Sequence, residues 1–318
     1  MLRESGPKKE EVRMIRGTTI EVKVNRVVDG DTVRVFLPGV EKDESLRLLA
    51  IDTEESNAGS SKAVTPWGDR AKERAEELFK PNDTATIEFP GNEDIETCLK
   101  RYRGNFGRLL VFLHKDGVDF QELAIAEGYS PYFVKYGNAI FPDKHERYVR
   151  AERLAQRKNL GIWNQMAVNQ AEIQNYAALG TWWQLRAKII DEYRRIKPLH
   201  ENLFNSRLDF PILLEKATSH EKVTIFTELR SIRRISKHSG LIKIGSVQHP
   251  FSLFLPDLDS EVGRETVALL NSRYISQEND HPRRSYAYVT GDLRLFKDAP
   301  QISLLKPEQI TDEMPSKN

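Results

Sequence analysis

Three short runs rich in β-branched residues follow one another between residues 18 and 51, and they constrain the fold more than any other feature. They read TTIEVKVNRVV, DTVRVFL and LRLLAI, and turn-forming residues separate them. Runs of this length and composition are typical of short β-strands joined by tight connections. The chain is therefore predicted to begin as a small β-structure.

Two more strands and three helices complete the predicted N-terminal domain, residues 18–165. TATIEF and GRLLVFL are strand-like, while WGDRAKERAEELF has apolar residues at helical spacing. DFQELAIAEGY begins with an acid suited to a helix N-cap and ends in a glycine suited to a helix C-terminus. A strongly charged helix is predicted before Gly161. The outline is a five-stranded barrel with three helices, which makes the fold class α+β and mainly β.

A helical linker, residues 166–200, is predicted to follow this domain. Its apolar residues recur every three or four positions, as on one face of a helix. They are Trp182, Leu185, Ile189, Tyr193 and Ile196. We expect this stripe to pack on one of the two domains. A homo-oligomer formed through the linker is the alternative, although the stripe is too short to require a coiled coil.

The last third of the chain again has strand-like composition. KVTIFTEL, LIKIGSV and FSLFL precede a helix-like segment, and RSYAYVTGDLRLF and QISLL follow it. Three strands, a helix and two strands is the order of the oligonucleotide/oligosaccharide-binding fold, or OB-fold. Residues 201–310 are therefore predicted to form a second, OB-fold-like barrel, and residues 1–17 and 311–318 to be polar tails.

The overall charge does not identify a partner. The 318 residues include 48 Lys and Arg against 47 Asp and Glu, so attraction to nucleic acid must come from local patches. Cys98 is the one cysteine, which excludes an intramolecular disulfide. The charged first residues do not read as a signal peptide, and no stretch is apolar enough to span a membrane. We expect a cytoplasmic protein without a membrane partner.

Acidic side chains stand at the ends of two apolar strands. Asp29 and Asp31 lie in VDGDT, and Asp52 directly follows RLLAI. A hairpin turn would explain an isolated Asp-Gly pair. Two aspartates that converge where the barrel opens would instead offer oxygen ligands to a cation, with a carbonyl such as that of Thr53. Such ligands favour Ca²⁺ or Mg²⁺ over zinc, which prefers His or Cys.

Arg47 is harder to place from the sequence. It lies five residues before Asp52, and an odd separation puts two residues on opposite faces of a regular strand. The two can share a site only if the strand bulges or turns before Asp52. From the periodicity alone, a plain salt bridge at the rim of the barrel is the favoured interpretation of Arg47.

The motifs VVDGDTVRV, LRLLAIDTEE and FGRLLVF, in this order and spacing, resemble the staphylococcal nuclease (thermonuclease) family. ELAIAEGY and AERLAQRKNLGIW fit the same family. The resemblance covers residues 18–165, roughly half of the chain. It implies a five-stranded OB-type barrel with three helices. It also implies a Ca²⁺-dependent phosphodiesterase that acts on DNA and RNA and leaves 3′-phosphate ends.

The resemblance further implies a metal site. Asp31 and Asp52 fall where the family has the carboxylate ligands of one Ca²⁺ ion, for which another divalent cation is an alternative. Thr53 falls where the family has a backbone-carbonyl ligand. Asp29 is expected to support these ligands from behind without touching the ion.

The resemblance also implies the residues that act on the substrate. Glu55 falls where the family has its water-activating carboxylate. Arg47 and Arg108 fall where it has the two arginines that hold the phosphate, so the resemblance places Arg47 in the site. Tyr136 aligns with a tyrosine that flanks the nucleotide base.

The sequence departs from the family pattern at four positions. Asn105 and Phe106 stand where a Lys-Tyr pair is frequent, Val134 replaces a second base-flanking tyrosine, and Glu54 replaces a usual proline. We expect these changes to affect nucleotide affinity and product preference more than the chemistry.

Two interpretations of the C-terminal domain stay open. An OB-type domain that binds single-stranded nucleic acid would use basic and aromatic side chains, whereas a structural or oligomerising domain would need neither. The candidate nucleic-acid-binding residues are Arg230, Arg233, Arg234, Lys237, Lys243, Tyr286, Tyr288, Arg294 and Lys297.

Two functions follow for the whole chain. The leading hypothesis is a metal-dependent nuclease whose C-terminal domain binds single-stranded nucleic acid. The alternative is a nuclease-like binding or scaffold protein with weak activity or none. Decayed copies of the domain lack several of the acids and arginines, and this sequence keeps all six, which favours the enzyme.

Overall fold

The computed structural model describes residues 17–57, 64–134, 141–164, 166, 176–276 and 283–315. Within these ranges the chain is mixed α and β, as predicted, with a closed barrel in its N-terminal region and a second sheet in its C-terminal region. Predictions that fall on residues 1–16, 167–175 and 316–318 lie outside the described residues.

The N-terminal region contains six strands and four helices within the described ranges. The strands are β1 (Thr19–Asp29), β2 (Thr32–Phe36), β3 (Glu44–Leu48), β4 (Thr84–Glu88), β5 (Leu109–Lys115) and the short β6 (Val118–Asp119). The helices are α1 (Pro66–Leu78), α2 (Ile95–Arg101), α3 (Phe120–Ala126) and α4 (Pro142–Arg157).

Five of these strands close into the predicted barrel. The order is β3-β2-β1-β4-β5, and β3 returns to pair in parallel with β5, where Leu46 lies opposite Leu109. A register shift in β1 between Val24 and Arg26 changes which residues face inward. Beyond it Asp29 is buried, with 8% of its surface exposed. The irregularity brings an acid to the inner side of the strand end.

Helix α2 is absent from the prediction, so the barrel carries four described helices rather than three. Its seven residues make too few turns to show an apolar period. The Asp94 carboxylate caps it by accepting a hydrogen bond from the Thr97 backbone N–H at 2.9 Å, and Cys98 fixes it to the core by complete burial.

The C-terminal region contains the other described elements. The helices are α5 (Tyr176–Ile196), α6 (Phe210–Thr218) and α7 (Glu261–Leu269), and a π-helical segment (Leu270–Tyr274) extends α7. The strands are β7 (Leu203–Asn205), β8 (Lys222–Glu228), β9 (Arg233–Arg234), β10 (Gly240–Lys243), β11 (Ser252–Leu255), β12 (Tyr286–Phe296), β13 (Ala299–Ser303) and β14 (Ile310–Thr311). In the described part of the chain, every helix is too short or too polar to cross a bilayer.

The second sheet shares most of the strand pairings of the barrel, although no pairing of β8 with β9 or β10 closes it among the described residues. Its strands run β7-β8-β12-β13-β11-β10-β9, and β11 pairs with β13 in parallel, as β3 does with β5. Helix α7 lies between its third and fourth main strands, as α1 does in the barrel. The strand β9, which follows β8 after four residues, pairs with β10. This order fits the predicted OB-type arrangement, which stays a prediction for this region.

The helix α5 packs on the second sheet, as expected for the apolar stripe of the linker. The ring of Tyr193 stacks on Phe226 of β8, with ring centroids 4.1 Å apart and planes 6° from parallel. Ile189 and Ile190 are buried beside it, while Leu185 is 45% exposed. The same apolar cluster includes residues of the barrel, so α5 joins the two regions. A homo-oligomer through this helix stays a prediction.

A buried ion cluster anchors β4 to β5 and α4. The Glu88 carboxylate lies 2.9 Å from His114 Nε2 and 2.9 Å from Lys144 Nζ, and Lys144 also contacts Asp119 at 3.1 Å. Burial acts to raise the pKa of Glu88, but the His114 hydrogen bond and the Lys144 charge outweigh it and lower the pKa to about 2. The folded state therefore favours the ionised carboxylate.

Glu88 is expected to make the fold sensitive to acid. Its contribution is fully present above its ordinary pKa of 4.5 and is lost as the pH falls towards about 2. The difference between these pKa values corresponds to about 3 kcal/mol of unfolding free energy. Denaturant titrations between pH 6 and pH 2 should show that Glu88→Gln flattens this pH dependence, whereas Glu21→Gln, at an exposed position of β1, does not. An unchanged slope in Glu88→Gln would contradict the assignment.

Candidate active site

The third strand ends before the acidic segment, and a tight turn follows it. β3 stops at Leu48, and Ala50 has a left-handed backbone conformation with φ of 64°. Arg47 Nη1 stabilises the turn by donating to the backbone oxygens of Leu48 at 2.8 Å and Ile51 at 2.9 Å. The turn breaks the strand period, so Arg47 and Asp52 can lie on the same side of the chain.

Arg47 connects the two predicted cation ligands. Its Nη1 lies 3.1 Å from Asp31 Oδ2, and its Nη2 lies 2.8 Å from Asp52 Oδ1. The side chain of Arg47 is 9% exposed, and those of Asp31 and Asp52 are 14% and 20% exposed. The two carboxylates therefore converge on one buried guanidinium at the rim of the barrel, even though they come from different strand ends.

Arg108 reaches the same place from the start of β5. Its Nη1 donates to the Thr32 hydroxyl at 3.1 Å, and that hydroxyl donates to Asp31 Oδ1 at 2.9 Å. Thr32 lies opposite Arg47 in the β2–β3 pairing. One hydroxyl thus separates Arg108 from the carboxylate that Arg47 contacts directly. The structure brings both predicted phosphate-binding arginines to Asp31.

Asp29 ties the turn after β1 to the acidic loop, residues 52–57. Its Oδ1 accepts hydrogen bonds from the Gly30 N–H at 2.8 Å and from the Ser56 hydroxyl at 3.1 Å. Burial raises the pKa of Asp29, and the nearby charge of Asp31 raises it further. The hydrogen bonds from Gly30 and Ser56 lower the pKa but only partly offset this rise. Asp29 thus connects the turn to the loop, and its role behind the cation ligands stays a prediction.

The acidic loop is packed against both β1 and α1. Thr53 is 2% exposed, and its hydroxyl has no hydrogen-bond partner among the described residues. The Glu55 backbone oxygen accepts from the Thr65 N–H at 3.2 Å, just before α1. The Glu55 side chain is half-buried. This packing holds Thr53 inside and leaves Asp52 and Glu55 at the surface of the site.

These residues suit a hard cation. The predicted ligands Asp31, Asp52 and Thr53 offer carboxylate and carbonyl oxygen atoms, the ligands that Ca²⁺ and Mg²⁺ prefer. A different group of possible ligands, His238, Asp257 and Asp259, lies in the second sheet region. All three of those side chains are exposed, and no predicted site residue belongs to that group.

Glu54 has a hydrogen-bond partner that the sequence did not indicate. This glutamate is completely buried, and its Oε1 accepts a short hydrogen bond from the Tyr176 hydroxyl of α5. Its Oε2 has no partner in the described part of the structure. The departure from proline at position 54 was visible in the sequence, but nothing local pointed to a tyrosine 122 residues away.

A cleft of about 740 Å³ adjoins the site on the Arg108 side. Gln248 and His249, from the connection between β10 and β11, line it together with the exposed ring of Phe106, which is 78% exposed. Arg108 Cζ lies 5.9 Å from the centre of that ring. The basic side chains of the cleft are Arg34, Lys42, Lys100, Arg103 and Arg108, and the acidic ones are Asp43 and Glu44.

The cleft carries excess positive charge. Arg34 pairs with Asp43, and Arg103 Nη1 lies 2.9 Å from Glu44 Oε1, so the two acids are matched. Lys100 pairs with Glu96 outside the cleft at 2.6 Å, so Lys42 and Arg108 exceed the acids of the cleft. A basic wall beside an exposed aromatic ring is typical of single-stranded nucleic-acid binding.

The structure separates the other predicted binding residues from this site or leaves them undescribed. Tyr136 lies outside the described residues, and Val134 beside it in the sequence is buried. Tyr286 and Tyr288 are 2% and 1% exposed and pack around Phe226, so neither ring face is open to a base. The exposed candidates of the second sheet region are Arg230, Arg233, Arg234, Lys237, Lys243, Arg294 and Lys297.

The barrel and its helices define a small α+β domain, and sequence comparisons name the family. Residues 45–165 match the family model described as staphylococcal nuclease homologue. This part of the chain is therefore a staphylococcal nuclease-type domain. The match begins within β3, so Asp29 and Asp31 precede it.

Curated relatives carry related names. Endonuclease YncB of Bacillus subtilis (strain 168) is 29% identical over 149 residues, which cover 46% of this chain and 62% of that protein. The SPbeta prophage-derived endonuclease YokF of the same organism is 30% identical over 146 residues, 46% of this chain and 44% of that protein. An uncharacterized protein of Bacillus anthracis is 27% identical over 155 residues. The chain thus spans less than two thirds of the length of both named endonucleases.

Gly30 provides a test of the close packing behind the site. A Cβ atom at this position would lie 2.8 Å from the Ala71 Cβ and 2.9 Å from the Thr53 side chain. Gly30→Ala is therefore expected to lower the unfolding free energy by about 1–3 kcal/mol, the usual cost of overpacking. Gly180→Ala in α5, where nothing lies within 4 Å of an added Cβ, should not destabilise. Denaturant unfolding of both variants checks this, and equal stability would contradict the packing.

Proposed function

We propose that the protein is a divalent-cation-dependent nuclease that hydrolyses phosphodiester bonds of DNA or RNA. The observation that carries the proposal is the convergence of Asp31 and Asp52 on Arg47, with Arg108 one hydroxyl away. It gains support from the nuclease family match and from the endonuclease names of relatives. By the family resemblance, the ion is Ca²⁺ and the products carry 3′-phosphate ends.

The proposed ligands are the carboxylates of Asp31 and Asp52 and the backbone carbonyl of Thr53. A divalent cation bound there supplies positive charge against the negative oxygens of the phosphodiester. In the structure Arg47 itself neutralises both aspartates, at 3.1 and 2.8 Å. Two further hydrogen bonds to backbone oxygens hold the plane of its guanidinium beside the proposed cation ligands.

The arginines and Glu55 supply the rest of the chemistry. Attack on a phosphodiester increases the negative charge on the equatorial oxygens, and planar guanidiniums bind such oxygens in pairs. Arg47 and Arg108 fill this role from two sides of Asp31. Glu55, half-buried on the same loop as Asp52, accepts the proton of the attacking water.

The cleft beside Arg108 gives the polymer a path away from the scissile bond. Lys42 neutralises a backbone phosphate there, and Phe106 stacks on a base. A duplex keeps its base faces covered, so the cleft favours single strands. We also propose that the second sheet region binds single strands. Because Tyr286 and Tyr288 are buried, the exposed basic side chains alone support this part of the proposal.

The first test separates cation binding from proton transfer. Asp52→Asn should lose both Ca²⁺ binding and cleavage, while Glu55→Gln should bind Ca²⁺ normally and cleave about 10²–10⁴-fold more slowly. Calorimetry and cleavage of labelled DNA and RNA, with and without chelator, measure both effects. Asp116→Asn, in an exposed turn, serves as the matched control. Cleavage that persists in chelator or in Asp52→Asn would reject the site, and binding without cleavage in the wild type would favour the scaffold alternative.

The second test concerns the cleft. Phe106→Ala should weaken binding of a single-stranded oligonucleotide by roughly 5- to 100-fold, since stacking on one base contributes about 1–3 kcal/mol. Fluorescence anisotropy in chelator measures this without cleavage. Leu154→Ala removes an exposed apolar side chain, 41% exposed on α4, away from the cleft and the second sheet, and should leave the affinity unchanged. If both variants bind as tightly as the wild type, the strand does not use the cleft.

A further inference from the structure

The acidic loop buries an acid that the proposed reaction does not use. Asp52 and Glu55 are half-buried, whereas Glu54 between them is completely buried. A carboxylate removed from water is costly unless hydrogen bonds or charges compensate it. Glu54 receives one described hydrogen bond, and its second oxygen has none. A buried carboxylate with a single hydrogen bond is retained only when the surrounding structure holds it in place.

The hydrogen bond of Glu54 comes from a rigid aromatic cluster. The Tyr176 hydroxyl donates to Glu54 Oε1, and the Tyr176 ring lies 6.1 Å from Trp163 and 5.3 Å from Trp183. Burial raises the pKa of Tyr176 well above its ordinary value, and the charges of Glu54, Asp52 and Asp31 add to this. The hydroxyl therefore keeps its proton and lies within electrostatic reach of the proposed cation ligands.

Helix α5, which carries Tyr176, is held by the second sheet region. Trp182 Nε1 donates to the Arg283 backbone oxygen at 2.8 Å, and Arg186 forms a short ion pair with Glu228. Arg186 is 4% exposed, so this pair is well protected from water. Ten residues of helix, or about 15 Å, separate Tyr176 from Arg186. The second sheet is thus connected to the acidic loop through one helix.

We propose that Tyr176 and Glu54 are positioning residues that hold the acidic loop in its cation-binding shape. The inference rests on the proposed function, since it assigns a purpose to the loop. Other ties hold the loop at Asp52, whose N–H donates to Ser130 Oγ at 2.8 Å, and at Ser56 through Asp29. The hydrogen bond from Tyr176 to Glu54 adds a contact at a position between Asp52 and Ser56, on the buried side of the loop. It also gives the second sheet region a role in the reaction that requires no contact with nucleic acid.

The test compares two buried tyrosine–carboxylate hydrogen bonds. Tyr176→Phe removes the one behind the loop. Tyr148→Phe removes the bond from the Tyr148 hydroxyl to Asp119 Oδ2, at 2.8 Å, elsewhere in the same domain. Two measurements are made on the full chain: hydrogen exchange of the amides of residues 50–57 in chelator, and Ca²⁺ affinity by calorimetry. Thermal unfolding of each variant shows that it is folded.

Tyr176→Phe should speed exchange in the loop and weaken Ca²⁺ binding by about 10–100-fold, the usual effect of losing a partner behind a metal ligand. Tyr148→Phe should lower stability but leave both loop exchange and affinity unchanged. Glu54→Gln, which keeps an acceptor for Tyr176, should retain most of the affinity, and Glu54→Ala should lose it.

Wild-type loop exchange and affinity in Tyr176→Phe would overturn the inference. Equal weakening of Ca²⁺ binding by Tyr148→Phe would overturn it too, because the effect would then be global. A wild-type protein that neither binds Ca²⁺ nor cleaves would refute the proposed function instead. Loop exchange in chelator would still decide whether Tyr176 positions the loop.

Discussion

The arrangement of the site depends on the ion pairs of Arg47 with Asp31 and Asp52. They require a strand that ends early, a left-handed residue at Ala50 and a guanidinium that folds back onto the turn. Two carboxylates this close repel each other unless a positive charge lies between them. Arg47 supplies that charge, so the two aspartates stay close together at the rim of the barrel.

The second sheet contributes through helix α5 and through the wall of the cleft. Tyr193 and Arg186 fix the helix to the sheet, and Gln248 belongs to a connection that approaches Gly107, where the absence of a side chain allows the close contact. A Cβ atom at Gly107 would lie 2.5 Å from Gln248 Nε2. The two regions therefore contact each other through α5 and beside the cleft that adjoins the proposed active site.

The sequence predicted the barrel well because alternating burial leaves a clear pattern in short strands. The strand period alone could not place Arg47 beside Asp52, because the period of two fails at the turn and no residue type indicates the left-handed Ala50. The family resemblance did assign Arg47 to the site. The hydrogen bond from Tyr176 to Glu54 could not be predicted for another reason. The two residues are 122 positions apart, and such a contact leaves no local signal in the sequence. The rings of Tyr286 and Tyr288 are buried, which shows that composition alone does not distinguish aromatic residues that stack on bases from those of the core.

The most direct measurement is diffraction from crystals grown with Mn²⁺ or Ca²⁺, with the ion located by its anomalous signal. We predict one ion at about 2.3–2.6 Å from carboxylate oxygens of both Asp31 and Asp52 for Ca²⁺. The Arg47 guanidinium should remain beside them. An ion found instead at His238, Asp257 and Asp259, with Arg47 still bridging the two aspartates, would contradict the account.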